Sequence, residues 1–194
     1  MIAVVVPAHN EEEHIAQCLR SLNVAALCPT LATEPVIVIV VLDDCSDGTA
    51  RIARGFARVR TVQSRARNVG AARAIGAQAA LAAGARWLAF TDADSEVAPD
   101  WISQQLGLQA DAVCGTVQVR DWGAHGDEVR ASFQSFYQDC DGHRHIHGAN
   151  LGITADAYHL SGGFLPLGHT RNLKMLVHDL VHTSPTQREA VEGM

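Results

Sequence analysis

From Val36 to Leu42 the chain runs through seven aliphatic residues without a break, and the run ends on Asp43-Asp44. It falls far short of the roughly 18 apolar residues that a membrane-spanning helix needs, and it reads as a strand buried inside a sheet. Runs of the same kind are Ile2–Val6, Val59–Gln63 and Trp87–Thr91, with Ala112–Val119 as a fifth. Segments of helical period separate them. That alternation is expected of βαβ units that build a mostly parallel sheet flanked by helices, an α/β fold.

The first helical segment, Glu11–Asn23, puts Ile15, Leu19 and Leu22 on one face; Asn10 is placed to cap it, with Glu13 as the partner of a capping box. The second, about Asp47 to Ala57, sets Ile52 and Phe56 one turn apart. The third, about Val69 to Ala83, is Ala-rich, carries an apolar stripe through Val69, Ala72, Ile75, Ala79 and Ala82, and closes at Gly84. Asn68 caps it, and Pro99 opens a fourth. No repeat, low-complexity stretch or linker divides the chain, and 194 residues, 47% of them hydrophobic, suffice for one domain.

Fifteen Lys and Arg stand against 21 Asp and Glu, so the net charge of −6 disfavours a general nucleic-acid binder. Met1–Val6 has no basic n-region, and a signal peptide is not expected. Five cysteines, an odd number with no Cys-x-x-Cys pair, suit unpaired thiols in a reducing, cytoplasmic setting.

In open α/β sheets ligands bind beyond the carboxyl ends of the strands. There the chain carries Pro7-Ala8-His9-Asn10, then Asp43-Asp44-Cys45-Ser46-Asp47-Gly48-Thr49, then Asp92-Ala93-Asp94. One Asp after a strand is ordinarily a turn or cap residue. Five carboxylates gathered on one rim would repel each other unless a cation sat among them. The Asp-x-Asp spacing lets one carboxylate reach a divalent ion while the other takes a neighbouring hydroxyl, which suits Mg²⁺ or Mn²⁺. The Gly-x-Gly-x-x-Gly, Gly-Lys-Ser/Thr and Gly-x-Ser-x-Gly motifs of dinucleotide folds, P-loops and serine hydrolases are missing.

Six blocks in order along the chain resemble family 2 glycosyltransferases of GT-A fold: Val-Pro-Ala-His-Asn-Glu-Glu (6–12), Leu-Asp-Asp-Cys-Ser-Asp-Gly-Thr (42–49), Arg-Ala-Arg-Asn-Val-Gly (65–70), Phe-Thr-Asp-Ala-Asp (90–94), Gly-Ala-Asn-Leu-Gly (148–152) and Ser-Gly-Gly-Phe (161–164). The resemblance implies a nucleotide-diphosphate sugar as donor, UDP- or GDP-linked, and transfer to an acceptor that is lipid-linked or a small molecule. It implies a nucleotide site of Pro7, His9, Asn10, Asp43, Asp44, Arg67 and Asp92, with Asp44 taking a base N–H and Asp92 the ribose. Asp94, with Asp92, would hold Mn²⁺ or Mg²⁺. Gly148, Ala149 and Asn150 would form the floor under the donor sugar or the acceptor. Inversion at the anomeric carbon is expected, an enzyme carboxylate deprotonating the acceptor during in-line attack.

The resemblance runs through residues 1–167 and fades over 168–194, a divergent or truncated tail. Relatives place a Glu-Asp pair after Gly-Gly-Phe, whereas residues 165–172 hold no acid. His169 is the stand-in candidate for catalytic base or metal ligand. Leu173–Val181 reads as an amphipathic helix that packs on its own domain or meets a partner or a membrane surface; a homo-oligomer is a separate expectation. His143, His145 and His147 alternate near Cys140, which raises a zinc site. Two rival readings follow: a nucleotide-sugar binding protein that has lost its base, and a haloacid-dehalogenase-like phosphatase with Asp92 as nucleophile and Asp94 as acid.

Overall fold

The computed structural model describes residues 1–119, 122, 126–137, 139–140 and 146–165. The tail with His169 and Leu173–Val181 lies outside the described residues, as do His143 and His145.

The elements are β1 (Ile2–Ala8), α1 (Ile15–Ala25), β2 (Val36–Asp43), α2 (Thr49–Arg54), β3 (Val59–Ser64), α3 (Val69–Ala82), β4 (Trp87–Phe90), α4 (Trp101–Gly107), β5 (Ala112–Cys114), α5 (Asp127–Phe136), β6 (Leu151–Thr154) and α6 (Ala155–Leu160). Among the described residues the strands form one six-stranded sheet of order β3-β2-β1-β4-β6-β5. The first four of these are mutually parallel. β6 is antiparallel to both of its neighbours, β4 and β5. Because β1 to β4 all run one way, their carboxyl ends open on one edge.

The unbroken apolar runs have a direct cause, since β1 and β2 are covered on both faces. Ile2, Val4, Val6 and Ala8 of β1, with Val36, Val38, Val40 and Leu42 of β2, pack against Ile15, Leu19 and Leu22 of α1 and Ile102 of α4. Ala3 and Val5, with Ile39 and Val41, face α3 through Ala72, Ala77 and Ala80. The buried face of α3 is Gly70, Ala72, Arg73, Gly76, Ala77 and Ala80, not the expected stripe: of that stripe only Ala72 is buried, Val69, Ile75 and Ala79 are half-buried and Ala82 is exposed. Small residues on this face let α3 lie close to the sheet at Gly76. A Cβ there would overlap the side chains of Val5 and Val41. Overpacking a core costs about 1–3 kcal/mol, while alanine returns about 1 kcal/mol in helix propensity. The two strand residues belong to the most enclosed part of the sheet, so overlap wins. Gly76→Ala is expected to lower the melting temperature by roughly 3–6 °C; an unchanged value by calorimetry would mean that α3 lifts freely.

The Ser-Gly-Gly-Phe block has a packing role. Gly162 and Gly163 take φ of 74° and 70°, a left-handed geometry that side chains disfavour. They turn the chain after α6 so that Phe164 meets the Phe90 ring edge-on, with centroids 4.9 Å apart. The Phe164 N–H also donates to the Tyr158 hydroxyl at 3.2 Å.

Several boundaries depart from the pattern in the sequence. Helix α1 starts at Ile15, and its N-cap is His14, which makes no side-chain cap bond. Asn10 is therefore not a cap: its Oδ1 accepts from the Ser46 N–H at 2.8 Å, a tertiary bond that replaces the local one. Asn68 does cap α3, accepting from Ala71 N–H at 2.9 Å. Helix α2 is shorter than its apolar spacing suggested, and α4 begins two residues past Pro99. The fifth run gives only the three-residue β5, and beyond it the Val117 N–H donates to the Tyr137 hydroxyl at 2.6 Å.

Candidate functional site

The loops that leave β1 and β2 are tied to each other before any ligand is considered. Glu11 N–H donates to Thr49 Oγ1 at 2.7 Å, Glu12 N–H to Asp47 Oδ2 at 3.1 Å, and Gly48 N–H to Glu12 Oε2 at 2.6 Å. Backbone amides thus spend their bonds across the two loops, which fixes both. Three of the five described non-glycine residues with left-handed φ lie here: Asn10 at 57°, Asp44 at 54° and Arg67 at 45°. Such backbone is unfavourable by about 1–3 kcal/mol per residue, and its clustering marks a functional edge.

Asp43 is the anchor of this edge. Its side chain is almost wholly enclosed, at 3% exposure. Oδ1 accepts from Ser64 Oγ at 2.8 Å and from Arg67 N–H at 3.1 Å, and Oδ2 from Asn68 N–H at 3.0 Å. Burial works against its ionisation, but the bonds from the Ser64 hydroxyl and from the backbone of Arg67, Asn68 and Ala66 outweigh it and hold the carboxyl below its usual range. The adjacent Asp44 pairs with Arg67, Oδ2 to Nε 3.1 Å, across the rim. His9 Nδ1 lies 2.6 Å from the carbonyl oxygen of Asp43. A carbonyl only accepts, so Nδ1 carries a proton, and in the neutral ring Nε2 keeps its lone pair.

Pro7, Ala8, His9, Glu11, Asp43, Arg67, Asn68, Val69, Ala72, Asp92, Ala93 and Asp94 line one cleft of about 470 Å³. Residues expected from the ends of four different strands therefore meet: Pro7 of β1 and His9 just after it, Asp43 of β2, Arg67 after β3, and Asp92 and Asp94 after β4. Asn10 and Asp44, expected at the nucleotide, are not among the lining residues: Asn10 accepts from Ser46, and Asp44 pairs with the lining residue Arg67. Gly148, Ala149 and Asn150 are not among the lining residues. The Asn150 side chain is occupied in joining the sheet to α4, taking Trp101 Nε1–H at 2.8 Å and giving to the Thr116 carbonyl at 2.9 Å.

Two residues that bear on this site, Glu11 in its lining and Arg73 behind it, were not legible as such. Glu11 lies in the first block, but helical spacing assigned it to the opening turn of α1. Burial first, then Asp94, with lesser pushes from Asp47 and Asp92 and opposition from His14, raises its carboxyl above the usual range. Arg73 sits on the buried face of α3, three residues after Gly70 and four before Ala77. Its Nη2 donates to Asp92 Oδ1 at 2.5 Å. A charged residue on the core face of an alanine stripe was the available signal.

The donor set at the cleft suits a hard divalent cation, because it offers carboxylate oxygens, and repulsion among them adds to burial in lifting Glu11. Asp94 is exposed, and its Oδ1 meets the Ser95 hydroxyl at 3.5 Å. Among the described residues no group of three or more His, Cys, Asp or Glu forms a protein-only metal cage. Mg²⁺-type ions need none, since they are commonly held by one or two carboxylates together with substrate phosphates. Zinc gains no support from Cys140 and His147, the described members of that set, and all five cysteines are unpaired. No described helix is long and apolar enough to cross a membrane.

The family model described as Glycosyl transferase family 2 matches residues 3–161. No curated protein matches the sequence. Among solved structures, S. aureus TarS 1–349 in complex with UDP superposes with a TM-score of 0.70 at 16% identity, over 93% of this chain and 55% of that one. The mannosyltransferase PcManGT from Pyrobaculum calidifontis, in complex with GDP-Man and Mn²⁺, gives 0.64 at 21% identity, over 93% and 51%. Glucosyl-3-phosphoglycerate synthase from Mycobacterium tuberculosis, in complex with UDP, gives 0.59 at 17% identity, over 96% and 68%. At these identities the likeness is one of fold, the GT-A fold. The chain spans about half the length of TarS 1–349 and PcManGT.

Proposed function

The chain belongs to glycosyl transferase family 2, and from that premise we propose that it binds a nucleotide-diphosphate sugar in the cleft and transfers the sugar to an acceptor hydroxyl with inversion. The observation that carries this reading is the convergence of Pro7, His9, Asp43, Arg67, Asp92 and Asp94 on one cavity. Its size suits a small-molecule ligand, being within the usual range of about 300–1,000 Å³.

In this reading His9, with its ring fixed by the Asp43 carbonyl, offers a flat face and an acceptor nitrogen to the base. Arg67 and Asp44, held together at the rim, meet the base edge and the diphosphate, and Asp92 takes the ribose. Asp94, with Asp92 beside it, holds Mn²⁺ or Mg²⁺. Such a cation would neutralise the charge that develops on the departing diphosphate. The turn at Gly148–Asn150 bounds the sugar side. Uridine or guanosine is the favoured base, in line with the ligands bound by TarS, the mycobacterial synthase and PcManGT. The family match removes the ground for the phosphatase reading, in which Asp92 would be a nucleophile.

Mn²⁺ with UDP or GDP is expected to raise the melting temperature of the protein. At tenfold excess over the dissociation constant the stabilisation is about 1.4 kcal/mol, roughly 3–6 °C for a chain of this size. No shift with any nucleoside diphosphate would remove the donor site. The base-less binding reading keeps one observation in its favour, the lack of an acid in residues 165–172. Hydrolysis of nucleotide sugars separates the two: slow metal-dependent release of free sugar supports an enzyme, and donor binding with no turnover on any acceptor supports a binder.

A further inference from the structure

We propose that Arg73 is a positioning residue of this cleft: from inside the fold it fixes Asp92 and the Gly148 turn around one guanidinium, leaving Asp94 as the carboxylate open to a cation. The proposal rests on the donor-site reading above and adds to it a residue that lines no part of the cavity.

Arg73 is the largest of the fully enclosed side chains, at 1% exposure. Its neighbours on the buried face of α3 are Gly70, Ala72, Gly76, Ala77 and Ala80, all small. An arginine in such a row must be desolvated, and buried ion pairs contribute little net stability because desolvation offsets their attraction. Stability is further disfavoured as the explanation by Nε, which is buried without a hydrogen-bond partner. What the guanidinium does achieve is placement. Nη2 holds Asp92 Oδ1 at 2.5 Å, and the Asp92 side chain is itself 29% exposed at the cleft. One carboxylate oxygen is fixed from below, and the other remains for a ligand.

The same guanidinium supports a second element. A Cβ built on Gly148 would overlap its Nη2 and Cζ atoms. The backbone of the turn before β6 therefore rests directly on Arg73, and a side chain there would push the guanidinium away from Asp92. Three parts of the fold that are remote in sequence share one cation: α3, the loop after β4 and the turn entering β6. A ligand carboxylate set from below is preorganised, so its orientation is not bought again on binding.

The test compares wild type with Arg73→Lys, Arg73→Met, Gly148→Ala, Asp92→Asn and the Arg73→Met/Asp92→Asn double variant, using Mn²⁺ with UDP or GDP in titration calorimetry. Arg73→Met and Gly148→Ala are each expected to weaken binding tenfold or more, and Arg73→Lys, which keeps the charge, by less. In the Asp92→Asn background the Arg73→Met change should add no further weakening, a dependence that a merely structural role would not show. Wild-type affinity in Arg73→Met, or full additivity in the double variant, would overturn the proposal. If Arg73→Met does not fold, Arg73→Lys and Gly148→Ala carry the comparison, and unchanged affinity in both would be the contrary result. If the wild type binds neither nucleotide, it is the donor reading that fails. Melting temperatures of the ligand-free set then decide on Arg73: non-additive Arg73→Met and Asp92→Asn effects support the coupling, and additive effects end it.

Discussion

Asp94→Ala is expected to abolish the rise in melting temperature produced by Mn²⁺ with UDP or GDP while leaving the ligand-free protein at least as stable as wild type. The side chain is exposed, and exposed substitutions ordinarily fall within about ±0.5 kcal/mol. Its charge adds repulsion to burial in raising the carboxyl of Glu11. Removing it relieves that repulsion. The variant thus separates two roles that a folding defect would confuse, with an intact or slightly higher melting temperature alone and no response to ligand. Differential scanning fluorimetry with and without EDTA provides both readings. A full response in Asp94→Ala would place the cation elsewhere.

Asp43→Ala is expected to act in the opposite way, through the fold. The substitution strands the N–H groups of Arg67 and Asn68 and the hydroxyl of Ser64 in a nearly closed site. It also frees Arg67 from the bond that holds its left-handed backbone. Hydrogen bonds to a charged acceptor are worth about 1.5–3 kcal/mol each, though not additively, so a loss of about 3 kcal/mol is expected, or roughly 6–12 °C in melting temperature. The effect should depend on pH with a definite sign. The folded-state carboxyl lies below its usual range, so its contribution is complete above the ordinary aspartate pKa near 4 and is lost as the pH falls through the depressed folded value. Wild type and variant should converge in stability in acid, as denaturant titrations at several pH values would show. A constant difference down to the lowest pH would contradict the role given to Asp43.

The parallel half of the sheet and the rim of the cleft were legible because each rests on a local pattern. A strand covered on both faces must be apolar throughout, as β2 is, and its first polar residues fall at the ligand-bearing edge. The other half was hidden for equally physical reasons. Leu151–Thr154 is a four-residue strand like Trp87–Phe90, but Gly152 breaks its apolar run, so no continuous stretch marks it. Its antiparallel insertion between β4 and β5 is a long-range choice that no local signal encodes. Asn10 misled because a capping-box spacing and a tertiary bond to Ser46 draw on the same side-chain oxygen, and the tertiary bond won. Arg73 was masked by the alanines around it, although a lone charge on a core face could have been flagged.

The placement of β6 between β4 and β5 has a consequence for biosynthesis. The block β3-β2-β1-β4 is complete in sequence by Phe90, but the strand that covers the open side of β4 arrives only with Leu151–Thr154, about 60 residues later. At 5–20 residues per second the nascent chain carries an uncovered β4 border for roughly 3–12 s. Unpaired borders of this kind are templates for intermolecular pairing. The emerging domain thus passes through a period in which β4 has no neighbour on that side, and it leaves that period when the Gly148 turn delivers β6.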